Sequence, residues 1–341
     1  MEPRNWGVEG RGGLVSWHDL GYIPWNDVDQ NGTGPASRSI SRSVEYAYDD
    51  FCISLMAAGM GHHEDVKKYH KRSANWKNLW NGEQRDLFQD EDGDVLQSEF
   101  RGFMMPKMLN GTWRYQNTRT CSPVHEMHRC YFDTAMDTYE GSPWLYSFFV
   151  PQDMAGLVDA MGGKERFVER LSYFHSSGIA YMGNEPTFLP VYQFHYGGRP
   201  GLSSYWAHEY IPSQFNASIN GIPGNDDCAM GAFSALVFMG FFPVAGQDVY
   251  LLTPPFFPEV RIRAKLGGWA VIRVRNFDPT YEAKYIQSAR LNGRAYTKNW
   301  ITHDFFLRGG VLDFTVGNVE GSWGTRDEDL PPSFPLLEIG G

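Results

Sequence analysis

The chain has 341 residues, enough for two domains. Its 11 Trp, 18 Tyr and 23 Phe make 15% of it aromatic, only 21% is charged, and the formal net charge is −10. That balance excludes a phosphate-backbone binder, which needs a basic face, and a disordered chain, which lacks such apolar content. No run approaches a membrane-spanning length of apolar residues.

The first forty residues are rich in Gly, Asn and Asp, with Gly21-Tyr22-Ile23-Pro24 in the middle, and read as an extended lead-in. They begin without the apolar core of a signal peptide. From Ser43 to Ile53 the apolar residues Val44, Ala47, Tyr48 and Phe51 recur at helical spacing, with Ser43 as cap and Gly59 or Gly61 as stop. Glu64 to Trp80 reads as a second helix, and residues 81–140 read as irregular. Long loops of that kind are usually functional.

Helical patterns return at Gln152–Met161 and Lys164–Phe174, then at Leu202–Phe215 and Asp226–Met239. With the two earlier helices these make six, in three successive pairs. After Phe242-Pro243-Val244 the period changes to two. Strands are expected at 250–253, 260–264, 269–274, 285–289 and 311–316, with Asn292-Gly293 as a hairpin turn. The fold class is therefore α+β, with a helical region over 1–245 and a region of antiparallel β-strands over 246–341.

Of the four cysteines, Cys121 and Cys130 share one loop-like stretch and can pair in an oxidising compartment. No Cys or His spacing suggests a metal site. Sequons stand at Asn31, Asn110 and Asn216.

Three acidic sites sit beside Gly or Pro and aromatics. Glu140 lies in Thr138-Tyr139-Glu140-Gly141-Ser142-Pro143-Trp144. A carboxyl among Tyr139, Trp144 and Tyr146 is desolvated, and desolvation raises the pKa as a general acid requires. Its bland alternative is a turn glutamate. Glu185, in Gly183-Asn184-Glu185-Pro186, has a backbone fixed by Gly and Pro, and Asn184 and Glu185 offer acceptors for hydroxyls or a hard cation. Asp226 and Asp227 open a buried helix, where one caps the N-terminus and the other is left to act as a base. Asp49-Asp50 sits mid-helix, and at least one member is expected to be structural. Two opposed carboxyls in an aromatic cleft are the general equipment of glycoside hydrolysis.

In this order the motifs resemble glycoside hydrolase family 92, the calcium-dependent exo-α-mannosidases. They are Gly21-Tyr22-Ile23-Pro24, Val44-Glu45-Tyr46-Ala47-Tyr48-Asp49-Asp50, Arg72-Ser73-Ala74-Asn75-Trp76, Tyr139-Glu140-Gly141, Phe149-Val150-Pro151-Gln152-Asp153, Gly183-Asn184-Glu185-Pro186, Pro223-Gly224-Asn225-Asp226-Asp227 and Tyr285-Ile286-Gln287-Ser288-Ala289. The resemblance covers roughly residues 14–325 and implies an (α/α)6-toroid-type helical region with β-sandwich strands. The chain would supply about three helix pairs, half a barrel, with the N-terminal half of the fold expected in a longer, secreted protein.

It further implies inverting hydrolysis of terminal α-mannosides in mannose-containing glycans. Glu140 takes the place of the acid and Asp227 that of the base, with Asp226 as neighbour or substitute. Asn184, Glu185, Trp144 and Tyr139 border the substrate, and Glu185 is the candidate calcium ligand. Inversion needs the two carboxyls about 6.5–9.5 Å apart. No nucleic-acid or membrane partner is implied. Departures from the family pattern at Ser142-Pro143, Gln152, Phe188-Leu189 and Cys228 lie close to these residues and bear on linkage. They leave open a subgroup acting on mannosyl phosphodiesters. A non-catalytic glycan-binding remnant is the competing reading.

Overall fold

The computed structural model describes residues 11–12, 14–27, 38–90, 92–133, 135–224 and 227–333, and of Asp227 only the backbone. Two units divide the chain: residues 1–161, 172–181 and 334–341 in the first, 162–171 and 182–333 in the second. The change from helices to strands near residue 246 falls within the second unit.

Where an extended lead-in is expected, the first unit has a helix, α1 (Leu14–Leu20). Leu14 and Trp17 are its buried face, too short a run to register as a period. Helix α2 (Ser39–Met60) overruns its sequence signal at both ends. Ser43 is not its cap but lies inside it, where its hydroxyl accepts the Ile23 N–H at 2.8 Å. Val44, Ala47 and Phe51 form the buried stripe, and Gly61, at φ 75°, ends the helix by donating to the Ala57 and Ala58 carbonyls. Helix α3 (His63–Arg72) has Glu64 and Asp65 in its first turn and His70, Lys71 and Arg72 in its last, in accord with the helix dipole. It passes into a 3-10 segment at Ser73–Leu79, so the second helix is shorter than expected.

The stretch 81–140 is less irregular than it reads. Strands β1 (Trp80–Gln89) and β2 (Val95–Met104) form an antiparallel hairpin, with register shifts between Asn81 and Leu87. Asp90 closes its turn by accepting the N–H groups of Asp92 and Asp94. Beyond it a disulfide joins Cys121 to Cys130, and Arg119 pairs with buried Asp86 at 2.7 Å. Short helices α4 (Arg129–Phe132) and α5 (Pro143–Tyr146) follow, then α6 (Met154–Ala160). Helix α7 (Lys164–Ser176) gives its last residues to this unit.

The second unit contains α8 (Phe188–Tyr192), α9 (Pro200–Gln214) and α10 (Asp227–Met239). Strands β3 (Phe241–Pro243), β4 (Tyr250–Leu252) and β9 (Trp300–Ile301) form a three-stranded antiparallel sheet, with β4 central. A five-stranded sheet comprises β5 (Glu259–Arg263), β6 (Trp269–Arg275), β7 (Tyr285–Leu291), β8 (Arg294–Tyr296) and β10 (Gly310–Gly317), in the order β5-β6-β10-β7-β8. Asn292 and Gly293, at φ 51° and 80°, make the expected turn between β7 and β8. The β6–β10 pair is parallel. Parallel neighbours need a long connection, and this one carries β7, β8, β9 and helix α11 (Asp304–Arg308). On β10, Leu312, Phe314 and Val316 alternate into a core shared with Ile272 and Ile286. Each large side chain buried there contributes about 1.5–3 kcal/mol.

Candidate active site

Glu140 stands in the first unit on a tight turn. Its φ of 60° is left-handed, uncommon for a side-chain-bearing residue other than Asn or Asp. Gly141 follows because a Cβ there would lie 2.6 Å from Leu145 Cδ2. Ser142 then caps α5, its hydroxyl accepting the Leu145 N–H at 3.3 Å, with Pro143 in the first helical position. The Gly-Ser-Pro sequence is thus a local instruction to turn sharply and start a helix.

The turn is held from two sides. Arg38 donates to the Thr138 carbonyl, and its guanidinium lies 5.2 Å from the centre of the Tyr139 ring. From below, the Tyr146 hydroxyl lies 2.6 Å from the Tyr139 carbonyl oxygen and 2.8 Å from Glu45 Oε1. Burial pushes the Glu45 carboxyl up to about 7. The charges of Asp49 and Glu140 push the same way, and the bond from Tyr146 opposes them. Burial also raises Asp137 to about 6, against the cation of Arg114. Glu140 itself is half-buried and Tyr139 is exposed.

Trp144 corrects the sequence reading. It has no exposed surface, and it packs against Phe103 at 5.0 Å and Tyr173 at 5.6 Å between ring centres. It is core beneath the turn, out of reach of a sugar. Asp50 is structural, as expected for one of the acidic pair: it accepts from Arg11 at 3.1 Å and from Trp17 Nε1 at 3.0 Å. Asp153 likewise caps α6 and takes bonds from Trp76 and Lys77. Glu45 is the residue that sequence reasoning missed. The available signal was its spacing to Asp49, four residues on, which puts two acids on one helix face.

The other candidates lie in the second unit. Asn184 is buried and half-buried Glu185 opens a 3-10 turn ahead of Pro186. Gly224, at φ 81°, presses on the same loop: a Cβ there would stand 2.4 Å from the Gly183 carbonyl oxygen. Two motifs forty residues apart are therefore in backbone contact, just before Asp227 opens α10. Asn225 and Asp226 lie outside the described residues. Among the described residues no group of three or more His, Cys, Asp and Glu is placed to hold a metal, and no helix is long and apolar enough to cross a membrane.

Within the first unit, then, the turn-borne carboxyl of Glu140 is backed by the Tyr146 phenol and the Glu45 carboxyl, groups of the kind that acid–base chemistry uses. The chain belongs to glycosyl hydrolase family 92: the profile of that family's catalytic domain matches residues 1–318. It is 48% identical over 337 residues to an uncharacterized secreted glycosidase of Arthroderma benhamiae, covering 98% of this chain and 43% of that protein. Its fold is similar to a family GH92 α-mannosidase from Bacteroides thetaiotaomicron in complex with mannoimidazole, with a TM-score of 0.77, 24% identity, and coverage of 94% of this chain and 40% of that one. A family GH92 inverting mannosidase from the same organism gives a TM-score of 0.76 at 25% identity, with 95% and 42% covered. The chain thus spans less than half the length of these relatives.

Proposed function

We propose that this chain carries the acid–base machinery for releasing terminal α-linked mannose from glycans with inversion, assisted by calcium. The left-handed Tyr139-Glu140-Gly141 turn in a chain of this family carries the reading. Glu140 protonates the departing glycosidic oxygen. Asp227 takes a proton from the water that attacks the opposite face, with Asp226 as its neighbour or substitute. Exposed Tyr139 offers a ring face to the sugar, and Asn184 offers hydrogen bonds to its hydroxyls.

Calcium takes hard oxygen donors, and Asn184 and Glu185 are of that kind. Glu185 is the proposed ligand. Bound there, the ion would supply charge and a template for the sugar. The Cys121–Cys130 disulfide and the secreted relative support an extracellular setting. Ser142-Pro143 beside Glu140 gives a mannosyl-phosphodiester preference as the second reading, which a substrate panel separates.

The test is Glu140→Gln in the full chain. Turnover of mannosides with poor leaving groups should fall about 10²–10⁴-fold, while dinitrophenyl mannoside, which needs no acid, is spared. Chelation should stop both, and calcium should restore both. Unchanged turnover of the poor substrates by Glu140→Gln overturns the acid assignment.

A further inference from the structure

We propose that Glu45 works in its protonated form as the positioning residue for Glu140, acting through Tyr146 on the Tyr139 carbonyl; this rests on the reading of Glu140 as the acid. The Tyr146 hydroxyl has one hydrogen, yet it stands 2.6 Å from the Tyr139 carbonyl and 2.8 Å from Glu45 Oε1. Both are acceptors if Glu45 is ionised, and one hydrogen cannot serve both. A proton on Glu45 removes the conflict. Glu45 then donates to the phenol oxygen, and the phenol donates to the carbonyl.

Tyr146 is fully buried, so no water can serve the unmet acceptor from its side. The carbonyl at the end of this chain belongs to the residue just before Glu140, whose left-handed backbone needs support. When Glu45 ionises, the phenol hydrogen turns to the stronger acceptor and the carbonyl is released. The groups facing this chain are Asp49 on the same helix, Glu140 on the turn, Ser41, whose hydroxyl also bonds to the phenol, and the Arg38 guanidinium, which interacts with Tyr146 and Tyr139. Burial and the two acids all favour the protonated form, which places the loss of the proton near pH 7.

The experiment compares Glu45→Gln and Glu45→Ala in the full chain. Gln keeps a donor and cannot ionise. Its kcat on poor-leaving-group mannosides below pH 7 should stay within about threefold of the parent, and the fall of kcat through pH 7 should vanish. Ala removes the donor. Its kcat on those substrates should drop about tenfold or more with KM little changed, while dinitrophenyl mannoside is spared.

A pH profile of Glu45→Gln that superimposes on the parent's overturns the proposal. So does equal loss on both substrate types in Glu45→Ala, which marks a merely structural role. Difference infrared spectroscopy provides a readout independent of Glu140. A protonated-carboxyl band present at about pH 6 in the parent and in Glu140→Gln should be missing from Glu45→Gln. If Glu140→Gln is fully active but this band behaves as stated, the acid assignment fails and the protonated state of Glu45 stands. If the band is unaffected by Glu45→Gln, the proposal itself fails.

Discussion

At the scale of single residues, the chemistry depends on backbone shapes that few side chains tolerate. Glu140 holds a left-handed φ, and Gly224 holds another where a Cβ would collide with the Gly183 carbonyl. Gly224→Ala should therefore cost more than the roughly 1–2 kcal/mol of left-handed alanine alone. Gly61→Ala is the control, because Gly61 has a similar φ of 75° but nothing within 4 Å of its Cβ position. Thermal melts of both variants should show the larger drop for Gly224→Ala; equal drops would show that the loop contact is slack.

The candidate acids were legible in the sequence because each lies beside Gly or Pro, residues that announce special backbone. Glu45 was not. It sits in a helix among ordinary helix formers, and its role comes from Tyr146, whose hydroxyl reaches it from 101 positions along the chain. Trp144 misled for the opposite reason. Adjacency to Glu140 in sequence suggests a shared surface, but α5 turns the indole inward.

At the scale of elements, period decided what could be read. The α2 stripe and the alternation on β10 were plain because one face of each is buried and the other is not. The β1–β2 hairpin escaped because β1 is largely polar, has little buried surface and carries register shifts that break alternation. Only Asp92-Gly93 signalled its turn. Helix α1 escaped because two buried residues make no period. The strands should answer to mutation by face. Phe314→Ala, in the centre of the five-stranded sheet, should lower unfolding stability by about 3–5 kcal/mol. Exposed Ser288→Ala on neighbouring β7 should stay within about 0.5 kcal/mol. Denaturant titration measures both, and similar values would contradict the assigned faces.

At the scale of the whole molecule, buried titratable groups set opposing pH trends. His195 and His208 are buried, and desolvation lowers both to about 4 from 6.5. His195 Nε2 lies 2.9 Å from the Leu252 carbonyl oxygen, and Nδ1 lies 2.9 Å from the Tyr192 carbonyl oxygen and 3.0 Å from the Ser203 hydroxyl. Between pH 4 and 6.5 the unfolded chain binds their protons and the folded one does not, so stability is lost as the pH falls through that window. Glu45 has the opposite sign. Its folded value is raised to about 7 from 4.5, so its protonated form favours the folded state at low pH, and that contribution fades as the pH rises. In His208→Leu the histidine term is gone. The melting-temperature advantage of the parent over this variant should shrink steadily from pH 6.5 to 4, and a constant gap would show that His208 takes up its proton without unfolding.

The proposed activity has one direct measurement. Proton NMR of the sugar first released from an α-mannoside, with calcium present, reports the side from which water arrives. An acid at Glu140 and a base at Asp227 acting on opposite faces predict β-mannose first, with the α-anomer growing in only by mutarotation. Release of α-mannose first would contradict the account, as would no release of mannose from any α-linked substrate by the full chain.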